Sequence, residues 1–200
     1  MLVNVTIKGI SAILQHRFAE AAEEAKPTRR VNIKRGDPRT EAEKVCYRNA
    51  EGGLWFPGAA ITRLLREAGA AHKQVGSRKS IKFVVPSAIL VAEEQIPFHD
   101  DDGQPITEFE VDSRAVVIPA TKGRVMRHRP RLNNWCATFD LEVDEDVLEA
   151  EVVHQLLVEG GTKIGLGDFR PEKGGPFGRF RVVTWAEIRK VDVPELRKAA

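Results

Sequence analysis

Apolar and polar residues alternate at the start of the chain, where Val3–Lys8 reads VNVTIK. A period of two places alternate side chains on opposite faces of a strand, so this pattern predicts a half-buried strand. The same alternation recurs in Trp135–Val143 (WCATFDLEV) and Arg179–Trp185 (RFRVVTW), which we predict to be strands as well. Ile81–Glu93 is rich in residues that favour strands and contains Pro86, which predicts a bulge or a sheet edge.

Two segments have the 3.6-residue period of a helix with one apolar face. The first follows Leu54–Phe56, a brief predicted strand, and has Pro57 in its first turn and Gly69 at its end. Its apolar positions are Ile61, Leu64, Leu65 and Ala68. The second runs from about 147 to 159, and the glycine pair 160–161 is predicted to end it.

These elements follow one another as strand, helix, strand, strand, helix, strand. That is the order of the split βαβ arrangement, in which we expect an antiparallel sheet with two helices on one face. The sequence therefore predicts a single α+β domain over residues 1–200, of the ferredoxin-like or RRM-like class. Its core segments are about 1–14, 56–93 and 135–186, with insertions at about 15–55 and 94–134.

Both insertions carry short predicted elements of their own. In the first, Phe18–Ala25 is rich in Ala and Glu and predicts a helix, and Thr40 suits the N-cap of another helix that ends at Tyr47. In the second, Ile106–Val111 and Arg114–Pro119 predict two short strands. Because charged segments added to a scaffold commonly carry binding sites, we expect function to reside here.

The composition is that of an ordinary soluble protein, with 42% hydrophobic and 30% charged residues. No segment approaches the roughly 20 consecutive apolar residues that span a bilayer, and residues 1–14 lack the charged start and cleavage site of a signal peptide. The two cysteines, Cys46 and Cys136, belong to no CxxC pair. A cytoplasmic location without a membrane partner is therefore expected.

Charge is segregated along the chain although the net charge is only +2. Eight Lys or Arg residues and three acids lie between Lys26 and Arg48, and five Lys or Arg residues and no acid lie between Lys122 and Arg131. The segment Glu93–Asp112 has eight acids and no Lys or Arg. Any one such run is commonly a solvated loop. Two basic runs in a short chain favour a polyanionic partner, because Lys and Arg that neutralise phosphates release counterions.

A glycine-rich segment near the end of the chain, 164–180, reads IGLGDFRPEKGGPFGRF. It lacks the Gly-Lys-Ser/Thr triplet of a phosphate-binding P-loop and the third glycine of a dinucleotide fingerprint. An ordinary long hairpin turn explains the glycines, but not the basic and aromatic residues between them. An RNA-binding loop would use glycine backbone and cations against phosphates and rings against bases. The candidate residues are Gly165, Gly167, Phe169, Arg170, Lys173, Phe177 and Arg179.

Two residues are candidates for chemistry, although nothing in the sequence assembles a nucleophile, a base and an orienting group. His16 ends the first strand beside Arg17, and it is either an ordinary surface histidine or a general acid or base in RNA cleavage. Asp37 is the one acid in TRRVNIKRGDPR, and it equally suits the turn before Pro38. No metal or cofactor is predicted, since the acidic tract 99–102 lacks the rest of a coordination set.

Two of these segments together resemble a known family. GGTKIGLGDFRPEKGGPFGRFRV (160–182) is similar to the glycine-rich loop of the RAMP superfamily, the RNA-binding proteins of CRISPR systems. GGLWFPGAAITRLLREAG (52–69) resembles the IPGSSLKGALR segment that opens a helix in backbone subunits of CRISPR effector complexes. Phe56–Ala60 stands for the turn, and Arg63 or Arg66 for the basic position. The serines of that segment are alanines here, and its Lys-Gly pair is Thr-Arg.

The resemblance implies a subunit that binds single-stranded guide RNA along its backbone, without regard to sequence, in a ribonucleoprotein of antiviral defence. It implies copies arranged head to tail and other effector subunits as partners, with target nucleic acid as a further partner. Besides the glycine-rich segment, the expected RNA contacts are Lys34, Arg35, Arg63, Arg66, Lys122, Arg124, Arg127 and Arg129. The acidic segment Glu93–Asp112 is a candidate contact for the basic insertion of a neighbour.

Two alternatives stay open beside this binding function. RNA-cleaving members of the superfamily use an Asp on an early loop, the region of Asp37, and the related repeat-RNA endoribonucleases use a His near the first helix, for which His16 is a counterpart. The chain would then be a metal-independent endoribonuclease rather than, as we expect, a protein that only binds. The other alternative is a stand-alone, phage-type single-strand binder.

Overall fold

The computed structural model of the protein describes residues 1–18, 36–74, 76–117 and 123–188. The strands in these ranges are β1 (Leu2–Gly9), β2 (Ile13–Leu14), β3 (Trp55–Pro57), β4 (Ile89–Val91), β5 (Gln95–His99), β6 (Glu110–Val117), β7 (Arg124–Leu132), β8 (Cys136–Val143) and β9 (Phe180–Ile188). The α-helices are α1 (Pro38–Lys44), α2 (Ala59–Ala68), α3 (Val85–Ala88) and α4 (Ala150–Lys163). The predicted helix over Phe18–Ala25 lies, apart from Phe18, outside the described residues.

The larger sheet is antiparallel and has the strand order β3-β5-β8-β1-β9, with β4 also paired to β8. One edge of β8 accommodates two neighbours because they meet different ends of it. β4 pairs with its last residues, Ile89 opposite Val143, and β5 with its first, His99 opposite Cys136. The chain is thus a mixed α and β protein with antiparallel sheets, which is compatible with the predicted α+β class.

The core lies between the larger sheet and the helices α2 and α4. The alternation in β1 acts as predicted, since Val3, Val5 and Ile7 are fully buried. They share one hydrophobic cluster with the apolar faces of α2 (Ile61, Leu64, Leu65 and Ala68) and α4 (Val153, Leu156 and Leu157). The strands predicted from the alternating segments near residues 135 and 179 are confirmed as β8 and β9.

The second predicted helix does not end at Gly160-Gly161 but runs through both glycines to Lys163. Both glycines are buried where α4 approaches its neighbours. A Cβ on Gly160 would collide with the Leu64 side chain of α2, and one on Gly161 would lie 2.6 Å from the carbonyl oxygen of Phe180. The glycines therefore permit close packing within the helix rather than ending it.

The predicted strand Ile81–Glu93 is largely wrong. A 3-10 turn covers Ile81–Phe83 and α3 follows it, so only β4 is a strand. Pro86 lies in the first turn of α3, where a missing N–H group costs no helical hydrogen bond. The Ser80 side chain begins the 3-10 turn by accepting a hydrogen bond from the Lys82 amide at 3.3 Å. Local capping prevails here over the strand propensity of the side chains.

The helix α1 begins before the predicted cap. Its N-cap is Asp37, whose carboxylate accepts a hydrogen bond from the Thr40 amide at 3.1 Å, and Pro38 occupies the first turn. Thr40 is therefore a residue of the first turn and not the cap. The helix stops before Tyr47, whose amide donates instead to Gln15 Oε1 at 3.1 Å.

A smaller antiparallel sheet, β2-β7-β6, is built mainly from the long β6–β7 hairpin. The predicted strands Ile106–Val111 and Arg114–Pro119 contribute to a single strand, β6, and the second basic run forms its partner β7. β2 pairs with the far end of β7, Ile13 opposite Leu132. Within the described ranges, none of the helices has the length and apolar character that crossing a bilayer would require.

Candidate nucleic-acid interface

Four arginines share one face of the β6–β7 hairpin. Side chains alternate along a strand, so Arg127, Arg129 and Arg131 of β7 lie on the same side. Arg114 of β6 is directly opposite Arg127 in the strand register. We call these four residues the hairpin face.

One carboxylate of β6 belongs to the same side. Asp112 lies opposite Arg129 and accepts hydrogen bonds from Arg114 Nε at 2.6 Å and Arg114 Nη2 at 2.8 Å. This hydrogen bonding to Asp112 raises the pKa of Arg114. One negative charge against four positive charges leaves the hairpin face basic.

The glycine-rich loop (residues 164–179) folds against β2 and the segment that leads into it. The Asp168 amide donates to the Leu14 carbonyl oxygen, and the Gly178 amide donates to that of Ala12, each at 2.8 Å. These backbone hydrogen bonds fix the loop beside β2, which in turn pairs with the hairpin. The loop and the hairpin therefore form one continuous region of the protein.

The glycines of this loop serve its own folding. Gly165, Gly167 and Gly178 have φ angles between +70° and +75°, which residues with side chains rarely adopt. A Cβ on Gly167 would collide with the Leu14 carbonyl oxygen, and one on Gly178 with that of Leu166. Many amides of the loop also donate to acceptors within the protein. We therefore expect its ligand contacts to come from side chains rather than from an open backbone cradle.

The two phenylalanines of the loop pack against the hairpin face. The ring centroids of Phe169 and Phe177 are 6.2 Å apart, and the Arg114 guanidinium lies 4.5 Å from the centroid of Phe177. The Arg131 guanidinium approaches the same ring at 5.9 Å. Because Phe177 is only 6% exposed, its ring holds the arginines by cation–π contact instead of facing outward.

His16 lies between the hairpin face and the glycine-rich loop. Its Nδ1 is 3.8 Å from Asp168 Oδ2, and Arg129 Nε is 2.7 Å from the same oxygen. The N–H group of this buried Nε is not aimed at the oxygen, so the two side chains form an ion pair without a hydrogen bond at Nε. Burial lowers the pKa of His16, with Asp168 opposing the shift and Arg129 and Arg127 adding to it. The imidazole is therefore neutral at pH 7.

A second carboxylate, Glu172, joins α2 to the loop. It accepts hydrogen bonds from Arg63 Nη2 at 2.8 Å and from Arg170 Nη2 at 2.7 Å, and Lys173 Nζ is 3.5 Å away. Burial alone would raise the pKa of Glu172, but the hydrogen bonds from Arg170 and the charges of Arg63 and Lys173 hold it below its usual value. Glu172 is therefore ionised at neutral pH, and three cations surround one anion.

A cleft of about 260 Å³ lies between these two charged clusters. The side chains of α2 line one wall and loop residues 164–168 and 170 line another. Its apolar lining includes Tyr47, Phe56, Phe98 and Leu166. The ionisable residues that border it are His16, Arg63, Asp168 and Arg170. A cleft with an apolar interior and a few convergent polar groups is the usual form of a ligand site.

The other predicted contacts lie elsewhere. Arg66 pairs with Glu67 at 2.7 Å along α2, and Arg124 is exposed at the start of β7. Arg179 is exposed where the loop ends, and its amide donates to Ser11 Oγ at 3.0 Å. Three predicted residues lie outside the described ranges, namely Lys34, Arg35 and Lys122.

The acidic segment Glu93–Asp112 is largely engaged within the chain. Its members bond as follows: Glu93 to the Asp140 amide, Asp100 to amides of its own turn, Asp101 to Lys8, Glu108 to Arg39, and Asp112 to Arg114. His99 of the tract 99–102 likewise contacts Thr138 Oγ1 at 3.0 Å. In the part of the chain that the structure describes, no group of three or more His, Cys, Asp or Glu side chains is placed to hold a metal ion.

Sequence reasoning missed the acids that organise the site, Asp168 and Glu172, and the arginine at the centre of the aromatic contacts, Arg114. One feature of the sequence could have indicated them, because both acids lie between cations that were predicted to bind phosphate. An acid in such a place weakens anion binding, so its presence suggests that it positions the neighbouring cations. Their partners are distant in sequence, so the pairing itself could not be predicted.

No protein-family profile and no curated protein matches this chain. Among solved structures, a chain of the Type III-B Cmr-beta complex bound to cognate target RNA is 9% identical, with a TM-score of 0.50. The alignment covers 91% of the present protein and 60% of that chain. The protein shares its fold with part of a chain of Type III-B Cmr-beta.

Two further solved structures are similar over nearly their whole length. A chain of a Type IV-B CRISPR complex is 11% identical with a TM-score of 0.47, and the alignment covers 100% of this protein and 96% of that chain. Cmr6 from Pyrococcus furiosus is 10% identical with a TM-score of 0.38, covering 90% and 97% respectively. At these TM-scores the two add no argument of their own.

Proposed function

We propose that this protein binds single-stranded RNA along the hairpin face and the adjoining cleft, as a subunit of a CRISPR-type ribonucleoprotein. The observation that carries the proposal is the convergence of separate predicted basic segments on one cleft. Arg129 of the hairpin is joined to the cleft by its ion pair with Asp168, and Arg63 of α2 lines the cleft directly. Because arginine binds the phosphate oxygens that every nucleotide has, such binding is independent of the RNA sequence.

Two arginines of the proposed RNA-binding surface, Arg127 and Arg63, have donor groups available for phosphates. Arg127 is exposed and forms no ion pair among the described residues. Arg63 uses only Nη2 to bind Glu172, and its Nε and Nη1 groups donate to no acceptor in the described part of the chain. A phosphate could therefore bind either guanidinium without first breaking an internal hydrogen bond of those groups.

The arrangement of the core supports a ferredoxin-like, or RRM-like, unit. The four strands predicted as core lie in the order β9-β1-β8-β4, every pair is antiparallel, and α2 and α4 follow the first and third of them in sequence. We propose one domain in which the two insertions supply α1 and the basic hairpin. By analogy of fold, the likeness to a chain of a complex bound to target RNA supports RNA as the polymer.

The assembly that follows from the RAMP resemblance is a row of copies that share one guide RNA with other effector subunits. Head-to-tail contacts that do not close on themselves produce an open helical filament. Because most acids of the segment Glu93–Asp112 are engaged within the chain, we expect the shared RNA to hold neighbouring copies together. Negative-stain images should then show filaments with RNA and separate particles without it.

The binding function is tested by fluorescence anisotropy with labelled single-stranded RNAs of different sequence over a range of salt concentrations. Arg127→Ala should weaken the binding of all the RNA sequences by the same factor. It should also reduce the slope of log affinity against log salt by about one. Arg78→Ala is the matched control, because Arg78 is also exposed but lies in the loop after α2 and not on the hairpin face. Affinity that does not change with salt, or that Arg78→Ala lowers as much as Arg127→Ala, would contradict the proposal.

A second candidate function, metal-independent RNA cleavage, is favoured by the state of His16. Its imidazole is neutral, its side chain is 34% exposed, and it borders the cleft beside Asp168, so it could accept a proton from a ribose hydroxyl. Incubation of the protein with RNA in EDTA tests this function. Cleavage that disappears in His16→Ala would establish it, and intact RNA after prolonged incubation would exclude it.

A further inference from the structure

We infer that the cleft beside α2 holds one unstacked base of the bound RNA. This inference rests on the proposed RNA binding and adds to it a specific place for a nucleobase. The volume of about 260 Å³ lies just below the range of roughly 300–1,000 Å³ that is typical of small-molecule pockets. The cleft is therefore of a size for one flat ring system and not for a run of nucleotides.

The walls of the cleft have the chemistry that a base requires. Tyr47 is half-buried and contributes accessible aromatic surface, and the buried side chains of Phe56, Phe98 and Leu166 complete the apolar lining. Phe56 and Phe98 hold each other in place, with ring centroids 5.1 Å apart. Bases gain free energy from contact with such surfaces because every base has an apolar face.

The buried amide that lines the cleft is bound within the protein. Gln15 is 3% exposed, and both its nitrogen and its oxygen form internal hydrogen bonds. Its Nε2 donates to the Trp55 carbonyl oxygen at 2.8 Å, and its Oε1 accepts from the Tyr47 amide at 3.1 Å and the Cys46 thiol at 3.4 Å. A base would therefore be held by shape and stacking, which agrees with RNA binding that is independent of the RNA sequence.

The charged border places a phosphate next to this interior. Arg63 and Arg170 border the cleft on the side of α2 and the loop, and both are held by Glu172. A phosphate on the available Nε and Nη1 groups of Arg63 would put the base of the same nucleotide within reach of the aromatic lining. The neutral His16 borders the cleft as well, and the carboxylate beside it, Asp168, is paired with Arg129.

Two leucine substitutions on α2 separate the cleft from the rest of the helix. Ala60 is half-buried and lines the cleft, whereas Ala59 is exposed and does not. Ala60→Leu therefore fills the cleft without changing any charge, and Ala59→Leu adds the same methyl groups outside it. Both keep a strong helix former on α2, and circular dichroism confirms that each variant is folded.

The experiment compares a single-stranded RNA with a strand of equal length in which every base is replaced by an abasic spacer. The wild type and Ala59→Leu should bind the normal RNA at least about tenfold more tightly, the order expected for one base on aromatic side chains. Ala60→Leu should lose most of that preference while its salt dependence stays the same, because the phosphate contacts remain. Equal affinity of the wild type for both strands would overturn the inference.

The outcomes distinguish this inference from the function on which it rests. A wild type that binds neither strand would contradict RNA binding itself. A wild type that binds both strands equally, with normal salt dependence, would leave RNA binding intact and remove only the base pocket. The comparison of the two strands by the wild type needs no variant, so it decides the matter even when Ala60→Leu does not fold.

Discussion

Arg129 of the hairpin and Asp168 of the glycine-rich loop form an ion pair, with Nε 2.7 Å from Oδ2, that joins two segments far apart in the chain. The arginine side chain is 8% exposed and the carboxylate 33% exposed. A buried guanidinium depends on its partner because it is poorly hydrated where it lies. This pair therefore holds the hairpin against the loop, together with the backbone hydrogen bonds to Leu14 and Ala12.

Removal of the charge of Asp168 should destabilise the protein. Asp168→Asn leaves the Arg129 charge buried without its counterion, and we expect a loss of about 1–3 kcal/mol in the free energy of unfolding, since the partial exposure of Asp168 reduces the full penalty. Urea denaturation measures the loss. Asp102→Asn is the control, because the exposed Asp102 forms no ion pair among the described residues. An equal change in the two variants would contradict a structural role of the pair.

The stability of the fold should fall through His16 as the pH decreases below about 6.5. Burial holds its folded-state pKa below the ordinary value of 6.5, so in this range the unfolded chain binds more protons than the folded chain. Stability then increases with pH and is fully present above about pH 6.5. His16→Gln should have a shallower decline on acidification, measured by urea unfolding at several pH values. Parallel curves for the wild type and the variant would show that His16 does not contribute.

Because α4 packs closely on α2, we expect replacement of Gly160 in α4 by alanine to destabilise the protein. Replacement of a helical glycine by alanine commonly stabilises a helix by about 1 kcal/mol. At Gly160 the added methyl group collides with Leu64, so Gly160→Ala should destabilise the protein by about 1–3 kcal/mol. Thr162→Ala, at an exposed position of the same helix, should change stability by less than about 0.5 kcal/mol.

Combination with Leu64→Ala tests the cause of that loss. If the collision is responsible, Leu64→Ala removes the atoms that the new methyl group meets, and the double variant should lose less stability than the sum of the single losses. Additive losses would place the effect elsewhere. Thermal unfolding of the four proteins under one condition is sufficient for this comparison.

The same residues show how far sequence reasoning reaches. The alternation of Val3, Val5 and Ile7 predicted β1 correctly, because burial on one face of a strand leaves a period of two in the sequence. The pair Gly160-Gly161 was misread as the end of a helix, because a glycine that ends a helix and one that admits a neighbouring helix look alike without the neighbour.

The candidate site divides in the same way. Arg127 and Arg129 could be predicted as part of a basic surface because the charge is visible in the sequence. The carboxylates that pair with the arginines of the site could not be predicted. Asp168 contacts Arg129, and Glu172 contacts Arg63, only after the loop folds onto β2 and α2. The sequence predicted either a turn or a chemical role for Asp37 and assigned the helix cap to Thr40, whereas Asp37 is the N-cap of α1.

Neutralisation of Glu172 should increase RNA affinity. Its carboxylate competes with phosphates for Arg63 and Arg170, which it binds at 2.8 Å and 2.7 Å. Glu172→Gln removes that competition and a negative charge at the cleft, so we expect affinity to increase by about fivefold, which corresponds to roughly 1 kcal/mol. The slope of log affinity against log salt should become steeper, because the freed arginines bind further phosphates.

Glu67→Gln is the matched control for this effect. It also frees an arginine of α2, since Glu67 accepts a hydrogen bond from Arg66 at 2.7 Å, but neither residue lines the cleft. Anisotropy titrations of the two variants against the same RNA should therefore separate them, with the larger gain in Glu172→Gln. Weaker binding by Glu172→Gln would show instead that the carboxylate positions Arg63 and Arg170 for phosphates. A larger gain in Glu67→Gln would move the main RNA contact from the cleft to Arg66.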